Sequence, residues 1–526
     1  MSKSKKGLVI QVLLIVILLA AAVVSVLYVQ KKSADLAAKE SIPAVNILEN
    51  AKLVLYEGPK SLKDATADDL KPANEIDRKT ALLHCTDTKV TVNGYDCYVY
   101  DTTVSNSRTW DVNYLPKLSS TPITYFDFEG TAVIQVTVPD QDLSSVKISP
   151  VSSGLVPEID KEKHTVTFTV TTPDNYTVTF NDSPARAIHI FANPLETNVP
   201  SKDDKNVIYI GPGEWNIDAL MMDSDKTLYI SGGAVVHSFI NGNFSKNVKV
   251  MGRGIVDGSQ YPGWAGRTAY IPLKFDNCSN VTIEDIIVLN PNAWVCQAFN
   301  SKDGVIDGVR IISSRPNGDG ITLQSCQNYE VKNCFVRSWD DALVVKNYDK
   351  NSDKISFTHM QVWSDLAQSM EVGYETNKGQ LPNSTITNIS FDDITVLNNF
   401  HKPIISIHNA DDALVSDISY KNIVVENAQM GSGDGVEMPY LIDLWIMQST
   451  SWSKTKERGQ IRNVDIENVT VLSGKNSPSR IQGFDAQHTI ENVTIKNLTI
   501  LGQKITDFTQ GQFEIDAAST KNLTIE

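Results

Sequence analysis

The pattern of apolar and polar residues changes twice along the chain and separates three regions. The first is a run from Leu8 to Val29, 22 residues with few polar positions, preceded by Lys3, Lys5 and Lys6 and closed by Lys31 and Lys32. A run of that length spans a bilayer as a helix and exceeds a usual signal-peptide core. Residues 1–32 are therefore read as a signal-anchor, with a signal peptide cleaved near Ala20–Ala22 as the alternative. Lysines ahead of the run favour a cytoplasmic N-terminus. Either reading carries the rest of the chain across the membrane: to its extracellular side, held by the N-terminal helix, or into secretion after cleavage. Residues 33–80 are mixed and polar and read as a spacer.

The second region, residues 81–200, alternates with period two in short pieces such as "KVTVNGYDCYVY", "AVIQVTV", "HTVTFTV" and "NYTVTF", separated by NG, PD and ND turns. Many short strands at this spacing predict an antiparallel β-sandwich. The third, residues 201–526, repeats one idea: a β-branched strand with an Asn or Asp at its turn, as in "NVTIEDIIVLN", "NISFDDITVLN", "NVDIENVTVLS" and "NVTIKNLTILG". Strand starts fall at Val248, Val281, Val309, Tyr329, Ile355, Ile389, Ile418, Val464, Val493 and Leu523, mostly 20 to 34 residues apart, with one gap of 46. One such unit cannot bury its apolar side alone, so the repeat predicts a parallel β-solenoid in which stacked coils share a core. Asn280, Asn388, Asn468, Asn497 and Asn522 open Asn-x-Ser/Thr triplets but recur at one repeat position. Stacked turn residues explain that recurrence better than glycosylation does. The predicted class is all-β.

Composition narrows the partners. The 526 residues are 41% hydrophobic and 21% charged with a net charge of −15, which excludes a nucleic-acid footprint and repels acidic polymers unless the cleft is locally basic. The membrane enters only through the N-terminal segment, and a monomer is expected. Of six cysteines, Cys85 and Cys97 are placed to close a hairpin, while Cys278, Cys296, Cys326 and Cys334 read as buried thiols of the repeats. No CxxC or His/Cys set has zinc spacing.

The candidate chemistry lies in "RPNGDGITLQSCQNYEVKNCFVRSWDDALVVK". Aligning "DGITLQ" with "DALVVK" puts Asp319 over Asp341 and Gln324 over Lys346 on neighbouring coils, about 4.8 Å apart, with Asp340 beside them. Crowded carboxyls raise one another's pKa, so that one holds a proton while another stays ionised, as glycosidic hydrolysis requires. Turn residues and a calcium site remain open as alternatives. The alignment continues to "QSMEVGYE", "PIISIHN" and "YLIDLW". It puts Gln368 at the level of Asp341, Glu371 within its strand, His408 at the level of Lys346, and Asp443 and Trp445 nearby. Lys346, Gln368, Glu371, His408 and Trp445 are the candidate sugar-binding residues. Trp264, Trp294, Trp339 and Trp363 are further candidate stacking platforms.

"NGDGITLQ" followed by "SWDDALVVK" resembles the Asn-x-Asp-Gly and Asp-Asp motifs of family 28 glycoside hydrolases, the polygalacturonase group. "LYISGGAVVHS" and "VMGRGIVDG" resemble that superfamily's entry coils, and "FDFEG" with "IHIFANP" resembles family 49 dextranases, a β-sandwich ahead of a right-handed β-helix. The resemblance implies Asp340 as general acid, Asp319 and Asp341 as bases holding the attacking water, single-displacement inversion, and no cofactor or metal. The chain departs from the polygalacturonase pattern where a uronate is held. Gln368 stands for the histidine of Gly-His-Gly, and Ser406 and His408 stand for the arginine and lysine of Arg-Ile-Lys. Without that bidentate clamp a neutral or partly modified polysaccharide or oligosaccharide is the expected substrate. A calcium-dependent polysaccharide lyase and a non-catalytic carbohydrate-binding surface protein are the competing readings.

Overall fold

The computed structural model describes residues 45–46, 52–60, 82–105, 118–181, 183–261, 269–378, 381–429, 439–448 and 450–526. The N-terminal apolar run, nearly all of the spacer, Trp264 and parts of the loops around residues 262–268 and 430–438 lie outside them. Among the described residues no helix is long and apolar enough to cross a membrane. Apart from a 3-10 turn at Val151–Ser153, their regular structure is strand.

Residues 207–525 form the repeat the sequence predicts. A typical coil contributes strands Lys302–Asp307, Arg310–Ile312 and Ile321–Gln324, each pairing in parallel with its equivalent in the next coil. The third strands of successive coils stack into an 11-stranded parallel sheet, and the others form a 19-stranded sheet. Alternation within each strand sends one set of side chains inward: Ile321, Leu323, Leu343, Val345, Val372, Ile407 and Leu444 all belong to one continuous core. Their neighbours Thr322, Gln324, Val344, Lys346, Glu371 and His408 point outward on the 11-stranded sheet.

The corners between strands need backbone with positive φ, which Asn tolerates better than other non-glycine residues because its short amide bonds locally. Asn280, Asn388, Asn468, Asn497 and Asn522 all sit at φ between 53° and 57°. Their amides stack: Asn468 donates to Asn422 at 2.9 Å and accepts from Asn497 at 3.0 Å. The triplets are therefore ladder positions. Replacing Asn468 with Ala removes two ladder bonds and leaves a Cβ residue in left-handed backbone. We expect a loss of about 2 kcal/mol, measured by urea unfolding.

Ahead of the coils stand an 8-stranded and a 5-stranded sheet. They share a core in which Phe126, Val178, Ile188 and Ile190 meet Val90, Ile134, Val166 and Phe168. The arrangement differs from the predicted sandwich in two details. His189–Asn193 runs parallel to Ile123–Asp127, so the larger sheet is mixed. Leu53–Leu55, within the stretch read as spacer, is a strand of that sheet paired with Phe126–Phe128.

The other face of the larger sheet is buried too. Tyr100, Ile123, Tyr125 and Phe191 pack on Val235, Ile287, Ile312, Phe335 and Trp363 of the coils. Polar anchors fix this seam. Arg253 pairs with Asp127 at 3.1 Å, the Asn290 side-chain carbonyl accepts from the Thr102 hydroxyl and the Thr103 amide at 3.1 Å, and Arg337 reaches His189. Trp363 and Trp339 are each 2% exposed, so burial rules both out as stacking platforms.

All six cysteines are free thiols. The predicted Cys85–Cys97 closure fails on register: the Cys85 amide donates to Val99 and the Cys97 amide to Val90, so the two are not opposite one another. Cys278, Cys296, Cys326 and Cys334 are buried among the coils as expected.

Candidate active site

The outward face of the 11-stranded sheet carries the candidate residues in two columns. One runs Thr322, Val344, Glu371, Ser406, Asp443 and Arg480; the other has Gln324 beside Lys346, then Gly373, His408, Trp445 and Gln482. These registers place Asp319 beside Asp341 and Asp341 beside Gln368, as the aligned repeats predicted. The Gly320 amide donates to the Asp341 carbonyl at 2.8 Å, and the Gln368 amide donates to Asp341 Oδ1 at 3.2 Å. Asp340 Oδ1 accepts from the Asp341 amide at 3.1 Å.

Asp319 and Asp341 are buried, and Asp340 is the most exposed of the trio. Burial raises the pKa of all three; the Asp340 charge adds to the rise at Asp319 and Asp341, and Lys346 opposes it at each. Raised together, the carboxyls favour keeping a proton within the set, the condition for pairing an acid with a base.

Lys346 lies 3.7 Å from Asp319 and 3.3 Å from Glu375. Burial alone would lower its pKa, but Glu375, Asp319 and Asp341 outweigh burial and hold the ammonium well above its usual range. Burial likewise pushes Glu375 up, and Lys346 outweighs it, leaving Glu375 below the usual range. Tyr348 donates to Glu375 at 3.3 Å. Among the described residues no group of His, Cys, Asp and Glu has the geometry of a metal site.

The remaining candidates divide by burial. Trp294 is half-buried, its ring 5.8 Å from the Lys346 ammonium, and Val295 next to it donates its amide to the Asp319 carbonyl at 3.1 Å. Gln368 is 3% exposed; its side-chain amide donates to the Tyr374 hydroxyl at 2.8 Å, and it braces Asp341 through its backbone amide alone.

Glu371 and His408 are fully buried and do not line an open groove. His408 bonds Glu371 through Nδ1 at 2.8 Å and Asp443 through Nε2 at 3.1 Å, and Tyr374 stacks over it at 4.6 Å. Gly373 makes this close packing possible: at φ 135° its missing Cβ would lie 2.1 Å from the His408 carbonyl. Trp445 is half-buried with the Arg480 guanidinium 3.8 Å over its ring.

Glu375, Tyr374 and Arg480 were not singled out in the sequence. The register step from Asp443 to Arg480 is the signal that finds the last; Tyr374 ends its strand opposite Asn409, and Glu375 follows it.

His408 carries a pH signature. Burial pulls its pKa down, but Glu371 and Asp443 outweigh burial and bring it to about 9. A folded-state pKa above the unfolded value means that the charged relay stabilises the fold fully below about pH 6.5 and loses that contribution as pH rises through about 9. We expect roughly 3 kcal/mol to be lost across that window, and His408→Gln to flatten this part of the profile in urea unfolding from pH 6 to 9.5.

With the geometry in hand, comparison with known proteins is decisive at the level of family. Residues 193–518, well over half the chain, match the sequence profile of glycosyl hydrolases family 28. The chain belongs to glycosyl hydrolase family 28. This family 28 member is 24% identical over 313 residues to the probable exopolygalacturonase B of Aspergillus niger, spanning 53% of this chain and 67% of the relative. It is 22% identical over 240 residues to the endo-polygalacturonase of Pectobacterium carotovorum subsp. carotovorum, spanning 43% and 55%. Its fold matches Dex49A from Penicillium minioluteum with a TM-score of 0.65 at 16% identity, over 92% of this chain and 100% of that one. The match extends through the N-terminal sheets, in line with the family 49 resemblance read from their strands. The protein is a glycoside hydrolase with an all-β, β-helical fold.

Proposed function

We propose that this glycoside hydrolase cleaves a polysaccharide by single-displacement inversion. Asp340 acts as general acid on the leaving oxygen, and Asp319 and Asp341 hold and deprotonate the attacking water. The observation that carries this reading is the convergence of three carboxyls with raised pKa on adjacent coils around the buried Lys346 ammonium. Asp340 is the outermost and best placed to meet a glycosidic oxygen. Asp319 and Asp341, packed against neighbouring backbone, are better suited to fixing a water than to following a leaving group.

A neutral or partly modified polysaccharide is the proposed substrate. Ser406 occupies a place where an arginine would hold a uronate, and its hydroxyl is bonded to Glu371. Lys346 is engaged by Glu375 and Asp319. Trp294 is the proposed stacking wall, and Lys346 orients the acid–base set. Gln368, Glu371 and His408 act on the substrate only through the residues they brace.

The proposed organisation keeps residues 1–32 as a targeting segment, residues 81–200 with Leu53–Leu55 as the accessory sandwich, and residues 201–526 as a right-handed catalytic helix. The proposed location is outside the cytoplasm, anchored at the membrane or secreted, with the enzyme acting as a monomer.

A reducing-end assay on a panel of neutral polysaccharides alongside polygalacturonate tests the substrate class. The expected result is release from at least one neutral polymer, no unsaturated product absorbing in the near ultraviolet, and unchanged rates in chelator. Cleavage confined to polygalacturonate, or an unsaturated product lost on chelation, contradicts the proposal.

A further inference from the structure

On the same outward face, Asp443 sits in an unusual setting. Its Oδ1 accepts from Arg480 Nε at 2.8 Å, and its Oδ2 accepts from Arg480 Nη2 at 2.7 Å and lies 3.1 Å from His408 Nε2. A planar fork plus a second cation is the geometry by which proteins grip a carboxylate. Here the carboxylate belongs to the protein. Arg480 is held by two rings, its guanidinium 3.8 Å over Trp445 and 4.5 Å over Tyr440, both partly exposed. The cradle lies on the sheet that carries the catalytic trio, three coils beyond Val344, or about 15 Å along the axis at the interstrand spacing. That distance suits a sugar beyond the one being cleaved.

We infer that Asp443 is a specificity-determining residue, an internal carboxylate that fills the His408–Arg480 cradle and thereby closes it to the carboxylate of a uronic acid, leaving a subsite for uncharged sugar. This deepens the hydrolase reading above and rests on it.

The charge balance supports the inference. Glu371 and Asp443 supply two negative charges, His408 and Arg480 two positive, so the relay has no surplus cation to offer a ligand. The state of Asp443 agrees with that count: it is fully buried, which pushes its pKa up, and His408 and Arg480 outweigh burial and leave it below the usual range. Removing the Asp443 carboxylate leaves two cations, one carboxylate and a space the size of a formate. A purely structural ion pair would make Asp443 variants less stable without changing what they bind.

The test uses the full chain carrying Asp340→Asn, so that binding is read without turnover, and follows trigalacturonate and its carboxyl-reduced counterpart by calorimetry. Adding Asp443→Ala should tighten trigalacturonate binding at least tenfold and leave the reduced trisaccharide within threefold. Sodium formate should compete with the gain and raise the variant's melting temperature but not the parent's. Arg480→Gln should abolish both effects. A folded Asp443→Ala chain that binds trigalacturonate no better than its parent overturns the inference, as does a gain that survives Arg480→Gln. If the alanine variant does not fold, Asp443→Asn, which keeps the shape and loses the charge, is read by the same criteria, with the formate arm omitted. A uronate gain in a chain that hydrolyses no polysaccharide with Asp340 intact would strike the hydrolase reading alone. No gain beside normal hydrolysis would strike only the role of Asp443.

Discussion

Asp340→Asn is expected to lower the hydrolytic rate at least ~1,000-fold while leaving the melting temperature within a few degrees of the parent. The amide keeps the shape and still accepts from the Asp341 amide, but it has no proton to give a leaving alkoxide. A positioned general acid contributes about 100- to 10,000-fold, and the upper part of that range applies to a sugar leaving group, which is strongly basic when it departs unprotonated. Loss should fall on the turnover rate more than on KM, because Asp340 meets the glycosidic oxygen only as the bond breaks. With substrates carrying a good leaving group such as a nitrophenolate, much of the rate should return, since protonation is then no longer needed. Full activity in the variant, or inactivity accompanied by unfolding, contradicts the assignment.

The second large effect lies away from the groove. Arg337→Met is expected to destabilise the protein by about 3–5 kcal/mol. Arg337 is fully buried, bonds Asp365 at 3.0 and 3.2 Å, and lies 4.4 Å over the Trp363 ring. Its Nη1 is 3.2 Å from His189 Nε2 in the larger N-terminal sheet. Burial, with Arg337 adding to it, lowers the His189 pKa well below the usual range, so the imidazole is neutral and accepts the guanidinium hydrogen. Methionine fills most of the volume but leaves the Asp365 carboxylate buried without its counter-charge. Pairing Arg337→Met with Asp365→Asn should recover part of the loss, because the coupling between the two belongs to the pair. Urea unfolding of the four proteins gives the cycle. Additive effects would show that the ion pair does not hold the seam.

Much of the fold was legible because a stacked coil leaves little freedom. A β-branched strand with Asn at its corner can bury its apolar side only against a copy of itself, so the period of the pattern also sets the register. That is why Gln324 beside Lys346, Gln368 at the level of Asp341 and His408 at the level of Lys346 could be placed by alignment. Burial of outward-facing residues was not legible. Glu371 and His408 lie on the groove face in both views, but Tyr374 stacks over His408, and that cover depends on the close approach that glycine at 373 allows rather than on any periodic pattern. Trp363 and Trp339 read as possible platforms because an isolated tryptophan looks the same on a seam and on a groove. The N-terminal sheets buried the first by docking against the coils. The Cys85–Cys97 pairing was misjudged for a related reason, since a hairpin's register cannot be counted when the turn between its strands is not known.

Direct displacement at the glycosidic bond, with a water held between Asp319 and Asp341 and a proton from Asp340, inverts the anomeric carbon. Proton NMR of the first product formed from a cleaved polysaccharide, recorded before mutarotation, tests it most directly. The new reducing end is expected to appear with the anomeric configuration opposite to that of the bond cut and then to equilibrate. A product appearing first with the configuration retained would contradict it.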